Sequence, residues 1–371
     1  MNSNLSSFHV TYRIRGSRED VTCRAKSVCV EQTIEFPADL VRNPGILSDI
    51  VGQITDMDQV EPECWDVCIS YSTAIVGAEL TQLLNVIFGN ASILPGIRVV
   101  GLEFPADFVS LFPGPPFGMP GLRHLTGAVN RPLLATALKP MGLSPVELAD
   151  LAGQFARGKV DIIKDDHGLT NQAFCPFSER VKRCAEAVIR ANEETGGNCL
   201  YAANITGPAE QLQARAAEAK NAGAQAVLVA PGLVGFDAVR RLAADDDFNL
   251  PILGHPAFHG SFVVGADTGI AHDVLFGTLY RLAGTDVTIF PNFGGRFSFS
   301  AKECRAIAQA CNLPLGSMPP ILPAPAGGMS LDRVPAMVEF YGPDVVLLIG
   351  GDLHRHGDLV GACRRFRELV Q

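Results

Sequence analysis

From Leu133 to its end this chain keeps a regular beat, in which short apolar runs alternate with segments of helical periodicity. The runs are Leu133–Leu138, Val160–Ile163, Leu200–Ile205, Ala226–Ala230, Ile252–Gly254, Val287–Phe290, Ile321–Ala324 and Val345–Ile349. Short runs that are apolar at nearly every position read as strands buried on both faces. Ser144–Arg157, Pro176–Glu194, Pro208–Gly223, Gly269–Ala283, Ala301–Cys311, Asp332–Tyr341 and Asp358–Val370 supply amphipathic helices around them. Eight strands with crossovers predict an α/β fold with a C-terminal (β/α)8 TIM barrel. A doubly wound open sheet is the runner-up, but its Gly-rich dinucleotide turn is missing: the first strand is followed by Lys139-Pro-Met-Gly-Leu.

The first third reads differently. Phe8–Arg13, Thr33–Phe36, Trp65–Ser70 and Arg98–Phe104 look like strands, with helices near Pro44–Ile54 and Gly77–Phe88. That mixture predicts an N-terminal α+β, ferredoxin-like domain over residues 1–115 with an antiparallel sheet, and a catalytic barrel domain over 116–371. Phe112-Pro-Gly-Pro-Pro-Phe-Gly-Met-Pro-Gly, dense in turn formers, is expected to be an irregular linker.

Bulk properties exclude several roles. A formal charge of −9 with no run of basic residues argues against nucleic-acid or anionic-membrane binding. The ten cysteines are scattered without a Cys-x-x-Cys pair, so neither a disulfide framework nor a four-ligand zinc site is expected. The polar Met1–Ser7 is not a signal peptide, and no apolar run is long enough to span a bilayer. A reduced, soluble, cytoplasmic protein is the simplest expectation.

Barrel chemistry collects where strands end. Those positions hold Lys139; Lys164, Asp165, Asp166 and His167; Asn204; His255, with His259 four residues on; Asn292 and Arg296; Gly327 and Gly328; and Gly350, Gly351 and Asp352. Val160–Gly168 is the sharpest of these, an apolar run ending in Lys-Asp-Asp-His-Gly. Buried lysine and aspartate must pair or hold a metal, so the cluster is either a structural ion pair or a metal site. The two Gly pairs after the last two strands suit a phosphate, whose oxygens need close backbone N–H groups.

With these residues in order, the chain resembles the RuBisCO superfamily over nearly its whole length. Arg131-Pro-Leu-Leu is similar to the family's entry into its barrel, and Ala137–Pro145 to the segment carrying its first active-site lysine, here Lys139. Val160–Asp166 is similar to the strand bearing a carbamylated lysine, here Lys164, and a metal-binding aspartate, here Asp166. His255 falls at the place of the strand-five histidine, and both Gly pairs at the phosphate turns. Glu31 and Asn85 match residues that the family lends across a dimer interface to the neighbouring barrel.

The departures point away from CO2 fixation. Met141 stands where carboxylases carry a second lysine, and His167 replaces a glutamate ligand. Pro256 replaces a phosphate-holding arginine, Ala326 a serine, and Arg296 is the nearest cation in the loop Phe293-Gly-Gly-Arg-Phe that should carry a lysine. The resemblance is therefore to the RuBisCO-like (type IV) proteins. It implies a homodimer with shared sites that acts through an enediolate on a phosphorylated keto sugar acid. The motif favours decarboxylation or cleavage of 3-oxo-isoapionate 4-phosphate, with isomerisation or enolisation of a methylthioribulose-type phosphate as the alternative. A chain that has lost catalysis and serves as a binding module is a third reading. The implied cofactor is Mg2+, with CO2 bound as a lysine carbamate. Lys164, Asp166 and His167 would hold the metal, Lys139 and His255 would move protons with Glu31 and Asn85 assisting, and Arg296, His259, Gly327, Gly328, Gly350 and Gly351 would bind substrate. His167 leaves three readings open: a softer metal, a hydrogen bond to a metal-bound water, or no metal at all.

Overall fold

The computed structural model describes residues 6–371, which divide into two compact units. The first takes the chain up to Phe112 together with His259–Leu279 and Pro314–Met318; the second takes the rest. A single boundary near residue 115 does not describe this division, because two later segments return to the first unit.

In the first unit Ser7–Arg15, Gln53–Glu61, Cys64–Ser72 and Ile97–Glu103 form an antiparallel sheet, joined at its edge by the two-residue strand Gly269–Ile270, parallel to Ile97–Glu103. The helices Arg18–Glu31 and Leu80–Phe88 complete a β-α-β-β-α-β order with the central strands first and third, the ferredoxin-like arrangement. Several local expectations fail here. Arg18–Glu31 is a helix that was not anticipated, because its buried stripe, Val21, Ala25, Val28 and Cys29, is made of small and weakly apolar side chains. Thr33–Phe36 is not a strand but the turn that follows it. Gln53–Glu61, in part expected as helix, is a charged edge strand with no buried residue. Gly269–Ala283 opens as a strand and turns helical only near His272.

The second unit holds eight parallel strands: Leu133–Leu138, Ile162–Asp165, Leu200–Asn204, Ala226–Val229, Ile252–Gly254, Val287–Pro291, Leu322–Ala326 and Val346–Leu348. The first seven strands pair in chain order, and the last strand pairs with the first. Leu322–Ala326 and Val346–Leu348 lie side by side without a ladder, so the barrel is nearly closed. Period-two alternation sorts its side chains. Leu133, Ala135, Ile162, Leu200, Ala202, Ala226, Leu228, Val287, Ile289, Leu322 and Ala324 fill the interior. Leu134, Leu138, Ile163, Tyr201, Val227, Val229 and Leu347 face the surrounding helices. Part of the supposed linker is helical: Gly118–Thr126 puts Leu122 into the interior cluster. It is tied there by buried Asp286, which accepts from the backbone N–H groups of Phe117 (2.8 Å), Gly118 (2.6 Å) and Ile252 (2.8 Å). Phe236–Ala243 is a further crossover helix that the periodicity did not reveal.

Candidate active site at the barrel mouth

The alternation that builds the barrel decides which polar residues reach its mouth. On Ile162–Asp165, Ile162 and Lys164 point inward, whereas Ile163 and Asp165 point to the helix layer. The inward parity continues through Asp166, and on the other strands through Lys139, His255 and Gly350. Asp165, carried outward, is fully buried and saturated. Its carboxylate accepts from Arg180 Nε at 3.0 Å, Tyr201 Oη at 2.9 Å and the Asn204 backbone N–H at 2.9 Å. Asn292 is likewise turned outward, where its amide accepts from Tyr341 Oη at 2.6 Å and donates to the sulfurs of Met329 and Met337.

The inward set is more sparsely bonded. Lys164 is 3% exposed, and its amine donates to the Asp165 carbonyl at 3.1 Å. Burial pushes it down to about 8, with the Lys139 charge acting the same way and Asp166 opposing both. Lys139 Nζ forms a 2.6 Å ion pair with Asp166 Oδ1, and His167 Nδ1 lies 3.2 Å from the same oxygen. Burial raises the Asp166 pKa, but the hydrogen bonds to His167 and Lys139 and the Lys164 charge outweigh it, so the carboxylate stays ionised well below its usual range. The His167 ring stacks on His255, with centroids 4.4 Å apart and planes 8° apart. His255 Nδ1 accepts from the Ala257 backbone N–H at 3.1 Å, which places the imidazole proton on Nε2. Burial first, then the Lys164 charge, drives its pKa well below the usual histidine value, so it stays neutral at physiological pH.

Asn204 fixes the turn that carries this cluster. Its buried Nδ2 donates to the carbonyls of His167 (2.9 Å) and Leu169 (2.8 Å), while Oδ1 accepts from the Thr206 N–H at 3.1 Å. Gly327 and Gly328 have φ of 84° and 94°, a region disfavoured for any residue with a Cβ. A Cβ on Gly328 would also stand 3.0 Å from Gly295 Cα, so the loops after the sixth and seventh strands meet glycine against glycine. Asp352 Oδ2 accepts the Leu331 N–H at 3.0 Å and ties the seventh-strand loop to the eighth. Gly350 lies beside the Lys139 stem: a Cβ there would be 3.9 Å from both Cδ and Cε. Arg296 is exposed, its guanidinium 5.1 Å from the centre of the Phe297 ring, while Arg333 holds the loop through the carbonyls of Phe293 (2.9 Å) and Gly294 (3.0 Å).

The barrel unit thus brings together Lys139, Lys164, Asp166, His167, His255 and Gly350, with Gly327, Gly328, Gly351 and Arg296 on the loops of the same end. Glu31, Asn85 and His259 belong to the first unit. Asn85 is exposed near the end of Leu80–Phe88, and Glu31 is half-buried at the end of Arg18–Glu31. Buried Gln32 links those two helix ends. Its Nε2 donates to the carbonyls of Asn85 (2.9 Å) and Val86 (2.8 Å), and its Oε1 accepts from the Ala91 N–H at 2.7 Å. His259 is 1% exposed, with its ring packed on Phe262 and Phe276.

Among the described residues no three His, Cys, Asp or Glu side chains stand together as a ready-made metal cluster. The residues present fit a divalent cation only if Lys164 adds CO2. Its lowered pKa supplies the neutral amine this needs, and the carbamate would join Asp166 and His167 as a third donor.

Comparison with known proteins follows this geometry. Residues 118–364 match the family profile of the ribulose bisphosphate carboxylase large chain, catalytic domain. The 5-methylthioribulose-1-phosphate isomerase of Rhodospirillum rubrum is 41% identical over 347 residues, 92% of this chain and 90% of the relative. The chain belongs to the RuBisCO large-chain family. Within it, this is a RuBisCO-like protein and an enzyme. The 2,3-diketo-5-methylthiopentyl-1-phosphate enolase of Bacillus pumilus is 34% identical over 309 residues, 82% of this chain and 75% of the relative. The crystal structure of a Rubisco-like protein from Rhodopseudomonas palustris superposes with a TM-score of 0.90 at 40% identity, covering 99% of this chain and 98% of that one. The octameric ribulose-1,5-bisphosphate carboxylase/oxygenase of Pyrococcus horikoshii gives 0.92 at 25% identity, covering 100% and 88%. The RuBisCO fold expected from the sequence is therefore present. Among the described residues, no helix of the RuBisCO-like protein is long and apolar enough to cross a membrane.

The outward network of Asp165, Arg180 and Tyr201 and the Gln32 clamp were not singled out by motif reasoning. Parity along Ile162–Asp165 was the available signal for Asp165, since a residue between two inward neighbours must face the helices. Gln32 offered no signal, because its partners are backbone groups more than fifty residues away.

Proposed function

We propose that this enzyme enolises or isomerises a phosphorylated methylthio-ketose by moving a proton on a carbon next to the carbonyl. The observation that carries the reading is the Lys139–Asp166 ion pair at 2.6 Å, set beside a buried Lys164 with a pKa lowered to about 8 and a neutral His255. These groups can hold and move protons around an enediolate. Relatives named as a methylthioribulose-phosphate isomerase and a diketo-methylthiopentyl-phosphate enolase favour this chemistry over decarboxylation of 3-oxo-isoapionate 4-phosphate.

In this account Lys139 exchanges the carbon-bound proton with substrate. His255 donates from Nε2 to the oxygen that gains charge on enolisation. Backbone N–H groups at Gly327, Gly328, Gly350 and Gly351 bind one phosphate, with exposed Arg296 adding charge from its loop. Lys164 as a carbamate, Asp166 and His167 are the residues that would hold Mg2+. When bound, that ion would supply Lewis-acid stabilisation of the enediolate oxygens. A second copy of the chain contributes Glu31 and Asn85, so that the working unit is a homodimer with shared sites.

The test is a turnover screen of 5-methylthioribulose 1-phosphate, its diketo relative and 3-oxo-isoapionate 4-phosphate, with Mg2+ and bicarbonate each supplied or withheld. Isomer or enol formation without CO2 release is expected. Release of CO2 from the keto acid as the fastest reaction would replace this reading with the decarboxylase one.

A further inference from the structure

In the first unit, one buried side chain joins the two helix ends that carry Glu31 and Asn85. Gln32 follows Glu31 directly, at the C-terminal cap of Arg18–Glu31, and is 6% exposed. The last carbonyls of a helix have no partner within it and need a donor from elsewhere. Those of Gln32's own helix are met locally: Thr33 Oγ1 donates to the Cys29 carbonyl at 2.7 Å and the Thr33 N–H to that of Val30 at 3.1 Å. The Gln32 amide serves the other helix, Leu80–Phe88. Its Nε2 donates to the carbonyls of Asn85 (2.9 Å) and Val86 (2.8 Å), and its Oε1 accepts from the Ala91 N–H at 2.7 Å in the turn that follows. The joint holds backbone and leaves the side chains it carries open. The Asn85 carbonyl also accepts from the Gly89 N–H at 2.7 Å, but its exposed Nδ2 has only a long contact, 3.4 Å, to Gln82 Oε1. A Cβ on Gly89 would collide with Asn85 Oδ1, so the glycine leaves that side chain its room.

We propose that Gln32 is a positioning residue, which sets the spacing and angle at which Glu31 and Asn85 are presented together. The proposal rests on the shared-site homodimer reading above, in which both residues serve the barrel of a second copy, and it names what aligns them. An apolar residue of the same size would fill the joint, but apolar packing is non-directional. Three hydrogen bonds of 2.7–2.9 Å from one planar amide fix distance and angle at once. That precision has a use in catalysis, where a displacement of about 1 Å far from the reacting atoms can cost about a hundredfold in rate. Gln32 touches no substrate in this role. It acts through its neighbour Glu31 and through the Asn85 backbone.

The experiment mixes impaired full-length chains under subunit exchange. Turnover is read on whichever of the three phosphorylated compounds above the wild type converts fastest. Gln32→Met, near in length but without an amide, should remain a folded dimer and lose about a hundredfold in kcat/KM. Mixed in equal amounts with Lys164→Met, it should recover about a quarter of wild-type turnover. About half of the dimers are then mixed, and each has one intact barrel served by one intact joint. Mixed with Asn85→Ala, Gln32→Met should stay at the level of its parents, because every barrel then faces an impaired donor. Should Gln32→Met not fold, Gln32→Asn, which keeps the amide on a shorter chain, takes its place with a smaller loss and the same pattern of recovery. Asn85→Ala mixed with Lys164→Met is the control for shared sites. Recovery in that control without recovery of the Gln32 variant by Lys164→Met overturns the role of Gln32 alone. So does wild-type turnover by the Gln32 variant, or its recovery by Asn85→Ala. If the control does not recover, or wild type converts none of the compounds, the shared active site fails and this inference fails with it.

Discussion

Two buried polar clusters share the end of the strand Ile162–Asp165, and they differ in how completely they are bonded. Behind the strand, Asp165 meets Arg180, Tyr201 and the Asn204 backbone at 2.9–3.0 Å. In front of it, the Lys164 amine has the Asp165 carbonyl at 3.1 Å and a pKa lowered to about 8. Both cost desolvation, but the Asp165 carboxylate recovers that cost through three hydrogen bonds, although Arg180 Nη2 is buried without a partner, whereas the front cluster leaves an amine whose charge is easily lost. The adjacent positions 164 and 165 thus acquire opposite fates from a one-residue change of face. A carboxylate bonded at both oxygens marks a girder, and a buried amine with one hydrogen bond and a pKa lowered toward neutrality marks chemistry.

The largest expected effect tests that division directly. Lys164→Met should abolish turnover, to below about a thousandth of wild type, and leave the melting temperature within a few degrees, because a buried charge is replaced by an apolar chain of similar length. Arg180→Met should do the converse. It strands the Asp165 carboxylate in the core and should cost about 3–5 kcal/mol in urea unfolding. A Lys164 variant that unfolds, or an Arg180 variant that stays stable yet is dead, would break the comparison.

The next prediction concerns pH. Burial lowers the folded-state pKa of Lys164 to about 8, below the ordinary lysine value of 10.5, so between those values the unfolded chain binds the extra proton and stability should rise with pH. Toward acid of that window the folded amine is held protonated at a cost. Activation by bicarbonate should follow the neutral amine, growing as pH rises through about 8 and levelling above it. Activation that is flat from pH 7 to 9.5 would remove the carbamate from the account.

A smaller effect is expected at the glycine turn. Gly328→Ala forces a Cβ into positive φ and to 3.0 Å from Gly295 Cα, which should cost about 1–3 kcal/mol of stability and weaken binding of inorganic phosphate. Unchanged phosphate affinity in a folded variant would move the anion elsewhere.

Much of this division was legible before any coordinates. The eight strands were set by apolar runs, and Lys139, Lys164, Asp166 and His255 by their places at strand ends. The first unit was less legible, for identifiable reasons. Arg18–Glu31 buries Ala25 and Cys29, whose side chains leave little periodic signal, and Gln53–Glu61 is an edge strand whose charges disguise it. The Gln32 clamp joins side chain to distant backbone, a class of contact that no local pattern encodes.

The most direct test of the central claim follows 5-methylthioribulose 1-phosphate by proton and phosphorus NMR with wild type, Lys139→Met and Lys164→Met. The account predicts conversion by wild type to a product of the same composition, with neither CO2 nor inorganic phosphate released, and no conversion by either folded variant. Substrate left unchanged by wild type, or consumed as fast by the Lys164→Met protein, would contradict it.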